Sequence, residues 1–178
     1  AIKEQTDLAI DEADSLLFVV DAIDGLLPTD QEIAQSLRKQ NKNITLLINK
    51  ADNHKLEESS AEFINLGFKQ TIFLSASHNK GFSELRELLS EYDDSEPNQD
   101  SIYDSDSVKI SIIGRPNAGK STLVNALIGE DRLVVSSESG TTRDSIDVPL
   151  EFKNKKITLI DTAGMRRKRS IKEETEKF

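Results

Sequence analysis

The stretch Gly114-Arg-Pro-Asn-Ala-Gly-Lys-Ser121 follows an apolar run, residues 108–113, and precedes the helix-like Thr122-Leu-Val-Asn-Ala-Leu-Ile128. A strand that ends in a glycine-rich turn and opens a helix directs several backbone N–H groups at one point. The positive end of the helix dipole faces the same point. Because an anion is stabilised there, the sequence predicts a phosphate-binding loop.

The residue types in this loop each suit a phosphate ligand. Gly114 and Gly119 let backbone N–H groups face oxygens, Lys120 supplies charge for the terminal phosphates, and the Ser121 hydroxyl suits Mg²⁺. An ordinary glycine turn is the plain alternative, but all four motif positions match and the flanking elements are those that the mechanism needs. The candidate nucleotide-binding residues here are Gly114, Asn117, Ala118, Gly119, Lys120, Ser121 and Thr122.

Composition bounds the class of protein. The 178 residues, 36% of them hydrophobic, suffice for one domain with a sizeable core. No apolar run approaches the roughly 18 residues of a membrane span and no signal peptide opens the chain, so we expect a cytoplasmic protein without a membrane partner. The lack of cysteine excludes disulfides and thiolate metal sites, and His54 and His78 are too isolated to form a zinc cluster.

The net charge of −9 is concentrated in one segment. Residues 91–107 contain seven acidic residues and no lysine or arginine, with no apolar periodicity. Such a composition cannot bury enough surface to order itself, so it predicts a flexible acidic linker. The remaining chain is nearly neutral, and the net charge therefore says little about partners.

Apolar runs alternate with helical patterns on both sides of this segment. Buried strands are predicted at residues 16–20, 44–48 and 72–74 in the first part, and at 108–113 and 157–160 in the second. Residues 146–152 alternate in polarity and predict an edge strand. Helical spacing follows most strands; Thr29 or Asp30 is expected to cap one helix, and Gly67 to end another. Strands alternating with helices predict an α/β fold with parallel βαβ units.

Asn49-Lys-Ala-Asp52 directly follows a predicted strand and has a specific chemical interpretation. Guanine presents an N1–H and an N2 amino group side by side, and a carboxylate can accept from both, whereas adenine has no such donor pair. Asp52 is therefore predicted to select guanine, with the Lys50 stem packed over the base and Asn49 holding the loop. Ser75 and Ala76 follow the next strand, and the Ala76 N–H is expected to donate to the guanine oxygen.

Asp161-Thr-Ala-Gly164 also follows a predicted strand. This order places a carboxylate beside Mg²⁺ and the Gly164 N–H beside the terminal phosphate. In the polar loop before it, Thr141 or Thr142 can give the metal a hydroxyl while that phosphate is present, and we assign this role to Thr142. Ser121, Thr142 and Asp161 are thus the predicted metal ligands.

These motifs resemble the translation-factor-related GTPases, and more narrowly the double-domain GTPases of ribosome assembly. Residues 1–90 are similar to the back half of that family's first GTPase domain, residues 91–107 to its connector, and residues 108–178 to the front half of its second domain. A near-repeat, Ile2-Lys-Glu-Gln-Thr6 and Ile171-Lys-Glu-Glu-Thr175, agrees with one period of a tandem array. The resemblance implies GTP and GDP as ligands and GTP hydrolysis in a longer protein.

The resemblance implies that this chain lacks one catalytic side chain that many related GTPases share. Met165 stands where many related GTPases carry a water-orienting glutamine, and a thioether cannot perform that role. Relatives with Asn at the position of Asn117 bind a potassium ion in place of an arginine finger. The resemblance therefore implies Asn117, Lys120, Thr142 and Gly164 as catalytic residues, with K⁺ beside Mg²⁺.

The resemblance also implies that the chain is a central piece of a longer protein, with the ribosome or ribosomal RNA as a partner of that protein. Two alternatives remain open from the sequence. The chain could be an inactive interaction piece that does not hydrolyse GTP and whose basic run at residues 166–169 contacts RNA. It could also be a naturally circularly permuted GTPase.

The strand order of the GTPase fold leads to an architectural prediction. The two parts supply complementary halves of one six-stranded, mostly parallel sheet of the P-loop GTPase type in permuted order, with residues 108–113 paired to residues 16–20. Each half alone would expose an apolar strand edge. The 17-residue linker extends to roughly 55 Å, so closure within one chain is sterically open. Exchange between two chains would give the same contacts.

Overall fold

The computed structural model describes residues 2–92, 107–130, 134–135 and 147–160. Helices and strands alternate along this part of the chain. The helices are α1 (Ile2–Glu12), α2 (Pro28–Arg38), α3 (His54–Ser59), α4 (Phe82–Glu91) and α5 (Lys120–Ile128), with a 3-10 helix, Ser60–Leu66, after α3. The strands are β1 (Ser15–Asp21), β2 (Asn43–Asn49), β3 (Gln70–Phe73), β4 (Ser107–Ile113), β5 (Val134–Val135), β6 (Val148–Phe152) and β7 (Lys155–Leu159).

The strands form one sheet in the order β3-β2-β1-β4-β7-β6-β5. The first five strands in this order pair in parallel, and β6 and β5 pair antiparallel with their neighbours. The predicted α/β class and permuted, mostly parallel sheet are confirmed. All six predicted strands are present, and the two-residue β5 adds a seventh. Because β5 covers β6, the expectation that β6 forms the edge is wrong for this sheet.

The seam between β1 and β4 joins the two parts of the chain. Ser15 pairs with Ile110, and the parallel register continues to Phe18 opposite Ile113. The predicted pairing of these two apolar runs is confirmed. The domain boundaries at residues 90 and 108 stay predictions, because most of the segment between them lies outside the described residues.

Strand β1 is buried along its whole length, which explains its unbroken apolar sequence. Successive side chains of a strand point to opposite faces of a sheet. Leu17 accordingly packs in the core cluster with α4 and α5, and Phe18 packs in the cluster with α1 and α2. Helices thus cover both faces of the sheet, which is the three-layer arrangement expected for buried parallel strands.

One of the two helix ends predicted from the sequence is wrong, and it belongs to α2. This helix begins at Pro28 with Leu27 as its N-cap residue, so the prediction of Thr29 or Asp30 as the cap is wrong. Proline suits the first helical position because its missing N–H would have no partner there. Asp30 instead accepts a hydrogen bond from the Leu27 N–H at 3.1 Å. Gly67, with φ of 78°, ends the 3-10 helix as predicted.

Candidate functional site

The predicted loops meet at the carboxyl edge of the sheet. Strand β1 ends at Asp21, β2 at Asn49 and β4 at Ile113, all in parallel strands. On one side of the β1–β4 seam the first part of the chain forms β1, β2 and β3. On the other side the second part forms β4, β7, β6 and β5. The crevice at such a switch in strand order is where ligands bind in open α/β sheets.

The two glycines of the phosphate loop are required by contacts with the first part of the chain. Gly119 has φ of +98°, and a Cβ there would lie 2.1 Å from Asn49 Nδ2. A Cβ on Gly114 would lie 2.5 Å from the carbonyl oxygen of Val19. From the sequence alone, these glycines are explained only by the space that phosphate oxygens need beside the backbone N–H groups. The structure adds that no larger residue fits between this loop and strands β1 and β2.

The loop leads directly into α5, whose first residue is Lys120. Lys120 Nζ donates to the carbonyl oxygens of Gly114 at 2.7 Å and Arg115 at 2.8 Å. These bonds hold the ammonium group within the loop. Ser121 is half-buried and Thr122 exposed in the first turn of the helix. Contact of Lys120 with terminal phosphates stays a prediction.

Asn49 and Lys50 bind the phosphate loop directly. Asn49 Nδ2 donates to the Ala118 carbonyl at 3.0 Å, and Lys50 Nζ donates to the Asn117 carbonyl at 3.1 Å. Lys50 adopts a left-handed conformation with φ of 62°. These bonds join residues separated by nearly seventy positions in the sequence. The predicted guanine loop and the predicted phosphate loop are therefore in contact.

Asp52 is oriented by the loop that follows β3. Ser75 Oγ donates to Asp52 Oδ1 at 2.5 Å, and Lys80 Nζ donates to the Asp52 carbonyl at 2.9 Å. The Ala76 N–H donates to Asn49 Oδ1 at 3.0 Å. Donation from Ala76 to a guanine oxygen stays a prediction, and it would require this N–H to share or exchange its present bond.

Sequence reasoning missed a group of charged residues beside these loops. Arg115, only 9% exposed, places Nη2 2.8 Å from Asp24 Oδ2 and 3.8 Å from Asp21 Oδ2. Asp21 also pairs with Lys50, and its Oδ1 accepts the N–H of Ile23 at 2.8 Å. The available signal was a charged residue, Arg115, in the loop that directly follows the segment predicted to pair with residues 16–20.

Asp30 completes this group from helix α2. Its side chain is fully buried, and its Oδ1 lies 3.5 Å from Arg115 Nε. Neither atom has a hydrogen-bond partner among the described residues. Burial raises the pKa of Asp30, while the Leu27 N–H bond and the Arg115 charge oppose that rise. Arg115 therefore compensates a carboxylate that burial destabilises.

Several predicted residues lie outside the described part of the chain. They are Thr141, Thr142, Asp161, Gly164, Met165 and the basic run at 166–169. The roles assigned to them stay predictions.

Two features are absent from the residues that the structure describes. No group of three or more His, Cys, Asp or Glu side chains there could hold a metal ion. No helix in this part of the chain is both long and apolar enough to cross a bilayer.

Each part of the chain matches a family model of GTP-binding proteins. The family model "50S ribosome-binding GTPase" matches residues 109–178, and the model "Elongation factor Tu GTP binding domain" matches residues 3–95. The GTPase Der proteins of Staphylococcus carnosus and Clostridium perfringens are each 46% identical, over 178 and 179 residues. That of Clostridium kluyveri is 47% identical over 177 residues.

These alignments cover 99% of this chain but 40% of each relative, so the chain spans about two fifths of their length. The elongation-factor model alone matches just over half of the chain. The chain therefore belongs to the family described by the model "Elongation factor Tu GTP binding domain", and along its length it is similar to part of the GTPase Der proteins.

Proposed function

We propose that this chain binds GTP and GDP at the β1–β4 seam, as part of a GTPase. The observation that carries the proposal is the 3.0 Å hydrogen bond from Asn49 Nδ2 to the Ala118 carbonyl. A guanine nucleotide needs its base contacts and its phosphate contacts at one fixed separation. This bond ties the candidate base-binding loop directly to the candidate phosphate loop.

Asp52 is the residue that we propose selects guanine. Its carboxylate would accept from N1–H and the N2 amino group of the base, and the Ser75 hydroxyl supports this by holding Oδ1 at 2.5 Å. The aliphatic stem of Lys50 would cover the base. Adenine lacks the donor pair, so adenine nucleotides would bind more weakly.

Titration of GDP against the wild type and Asp52→Asn tests this proposal. We expect the substitution to weaken binding by on the order of 2–4 kcal/mol, because a donor then faces the N–H groups of guanine. Xanthine carries a carbonyl where guanine has its amino group, so Asp52→Asn should gain affinity for xanthosine diphosphate. Asp11→Asn, exposed on α1, is the matched control for loss of one charge. Unchanged GDP affinity in Asp52→Asn would reject the assignment.

Mg²⁺ fits the proposed oxygen ligands, since hard divalent cations prefer hydroxyl and carboxylate oxygens together with substrate phosphates. Ser121, half-buried in the first turn of α5, would hold it with Thr142 and Asp161. When bound, the ion would neutralise charge on the β- and γ-phosphate oxygens. Lys120 would add a second positive charge, and the Gly164 N–H would donate to the terminal phosphate.

Potassium is the further cofactor that we propose, held by Asn117. This residue is exposed in the phosphate loop with φ of 67°, and Met165 has no group that could orient water. GTP hydrolysis should therefore be faster in K⁺ than in Na⁺, and Asn117→Ala should remove the difference. Equal rates in both salts, in a chain that binds GTP, would reject the role of K⁺. Binding without any turnover would favour the alternative of an interaction piece.

We also propose that the longer protein acts in the cytoplasm on assembly of the large ribosomal subunit. The support is the description of the model that matches residues 109–178, which names a 50S ribosome-binding GTPase. Co-sedimentation of the full-length protein with purified large subunits, in GTP and in GDP, tests it. Absence of co-sedimentation with either nucleotide would reject it.

A further inference from the structure

Arg115 lies in the phosphate loop, yet its guanidinium contacts three carboxylates from the other part of the chain. Asp24 Oδ2 lies 2.8 Å from Nη2, Asp21 Oδ2 3.8 Å from Nη2, and Asp30 Oδ1 3.5 Å from Nε. The carboxylates come from the end of β1, the turn after it and helix α2. The Arg115 side chain therefore joins the loop to elements of the first part of the chain.

Asp21 connects this group to the guanine loop. Its side chain is 1% exposed. Its Oδ2 atom pairs with Lys50 Nζ and also faces Arg115 Nη2. A continuous path of charges thus runs from Lys50 through Asp21 to Arg115. The Arg115 carbonyl also accepts from Lys120 Nζ at 2.8 Å, which extends the path to the proposed phosphate-binding lysine.

We propose that Arg115 is a positioning residue, whose ion pairs with Asp21, Asp24 and Asp30 set the separation between the phosphate loop and the guanine loop. The inference rests on the proposed function for the identity of its ligand, a guanine nucleotide. Arg115 acts through the loop backbone and Lys50, not by contact with the nucleotide. Its planar guanidinium can face several carboxylates at once, which a lysine ammonium at the end of a flexible stem cannot do as well.

Removal of Arg115 leaves the buried charges of Asp21 and Asp30 without their guanidinium. Breaking a buried pair by removing one partner is unfavourable because the other charge stays desolvated. The loop must then shift or admit water to solvate these groups. Either change alters the separation of the base and phosphate contacts, so nucleotide affinity falls.

Arg86 provides a matched control for loss of a buried arginine between the two parts. It extends from α4 to Glu130, with side-chain exposures of 13% and 9%. Glu130 follows the C-terminal end of α5, whereas the phosphate loop precedes the N-terminal end. Arg86→Met should therefore lower stability without moving the loop.

GDP titration of Arg115→Met, Arg115→Lys and Arg86→Met tests the proposal. We expect Arg115→Met to weaken GDP binding about tenfold, Arg115→Lys to weaken it less, and Arg86→Met to stay within about twofold of the wild type. A general stability role would instead lower the melting temperatures of both Met variants and leave their GDP affinities alike. Equal affinities of the folded Arg115→Met and Arg86→Met proteins would overturn the proposal.

Amide hydrogen exchange without nucleotide gives a second, independent readout. The amides of residues 114–121 should exchange faster in Arg115→Met than in Arg86→Met or the wild type. A wild type that fails to bind GDP would reject the proposed function, while the exchange comparison would still decide whether Arg115 positions the loop. Should Arg115→Met not fold, Arg115→Lys carries the same comparison. Exchange in the loop equal to that of Arg86→Met would contradict the positioning role.

Discussion

The two parts of the chain contribute to the site in different ways. Strand β1 is buried along its whole length and β2 over all but its first residue, whereas β6 and β7 alternate between buried and more exposed positions. The first part presents side chains at the strand ends, such as Asn49 and Asp52, and the second presents the backbone of residues 114–119. Recognition of a base requires fixed side chains, whereas phosphate binding requires converging N–H groups. The proposed selection of guanine would therefore depend on the part of the chain in which burial on both faces leaves the strands least freedom.

Truncations in β1 and β7 test this difference in burial. Leu16 and Leu17 are adjacent, point to opposite faces and are both fully buried, so each change to Ala should cost about 2–5 kcal/mol of unfolding free energy. In β7, Ile157→Ala should be comparably costly, but its exposed neighbour Lys156→Ala should stay within about 0.5 kcal/mol. Urea denaturation measures all four. A small cost for either leucine would contradict burial of β1 on both faces.

Substitution of a loop glycine tests the backbone contribution of the second part. Gly119→Ala would place a Cβ 2.1 Å from Asn49 Nδ2 at φ of +98°, so the two loops must separate. We expect GDP binding to weaken by roughly 2–3 kcal/mol.

Gly129→Ala, after α5, is the control. Its φ is −83° and its nearest contact would be Asn125 O at 3.3 Å, so its GDP affinity should remain close to that of the wild type. Equal GDP affinities in the two variants would show that contact between the loops does not govern binding.

Much of the fold could be predicted because it depends on local patterns. Segments rich in apolar residues identified β1, β2 and β4, and the loop sequence that begins at Gly114 identified the start of α5. The permuted seam followed from a resemblance to a known strand order, not from the residues alone. Strand β5 was not predicted, since two valines carry no periodicity.

The ionic group around Arg115 could not be predicted in the same way. Its pairs join residues about 85 to 94 positions apart, and no local pattern encodes such contacts. Asp30 was interpreted as a helix cap because acidic residues at a helix start usually fill that role. Pro28 is instead the first residue of the helix, so Asp30 is the third residue and lies buried beside Arg115.

The two parts also differ in the charges that they bring to their contact, and pH tests this asymmetry. The first part supplies Asp21, Asp24 and Asp30, and the second supplies Arg115. Burial raises the pKa of Asp30 above its ordinary value of 3.8, while the Leu27 N–H and Arg115 oppose the rise and Asp21 adds to it. In the folded state this carboxyl therefore retains its proton at pH values where the unfolded chain has lost it.

A raised pKa in the folded state contributes stability that is fully present below the ordinary value and is lost as pH rises through the folded value. Asn cannot ionise, so the stability of the wild type relative to Asp30→Asn should fall as pH rises above about 4. Urea denaturation at several pH values measures this difference. Glu32→Gln, which removes one exposed charge from the same helix, is the control. A change of its stability with pH, relative to the wild type, measures the effect of surface charge in general. A wild type that instead gains stability over Asp30→Asn across this range would mean that Arg115 outweighs desolvation. The contact between the two parts would then be stabilised by its ion pairs and not only by its apolar seam.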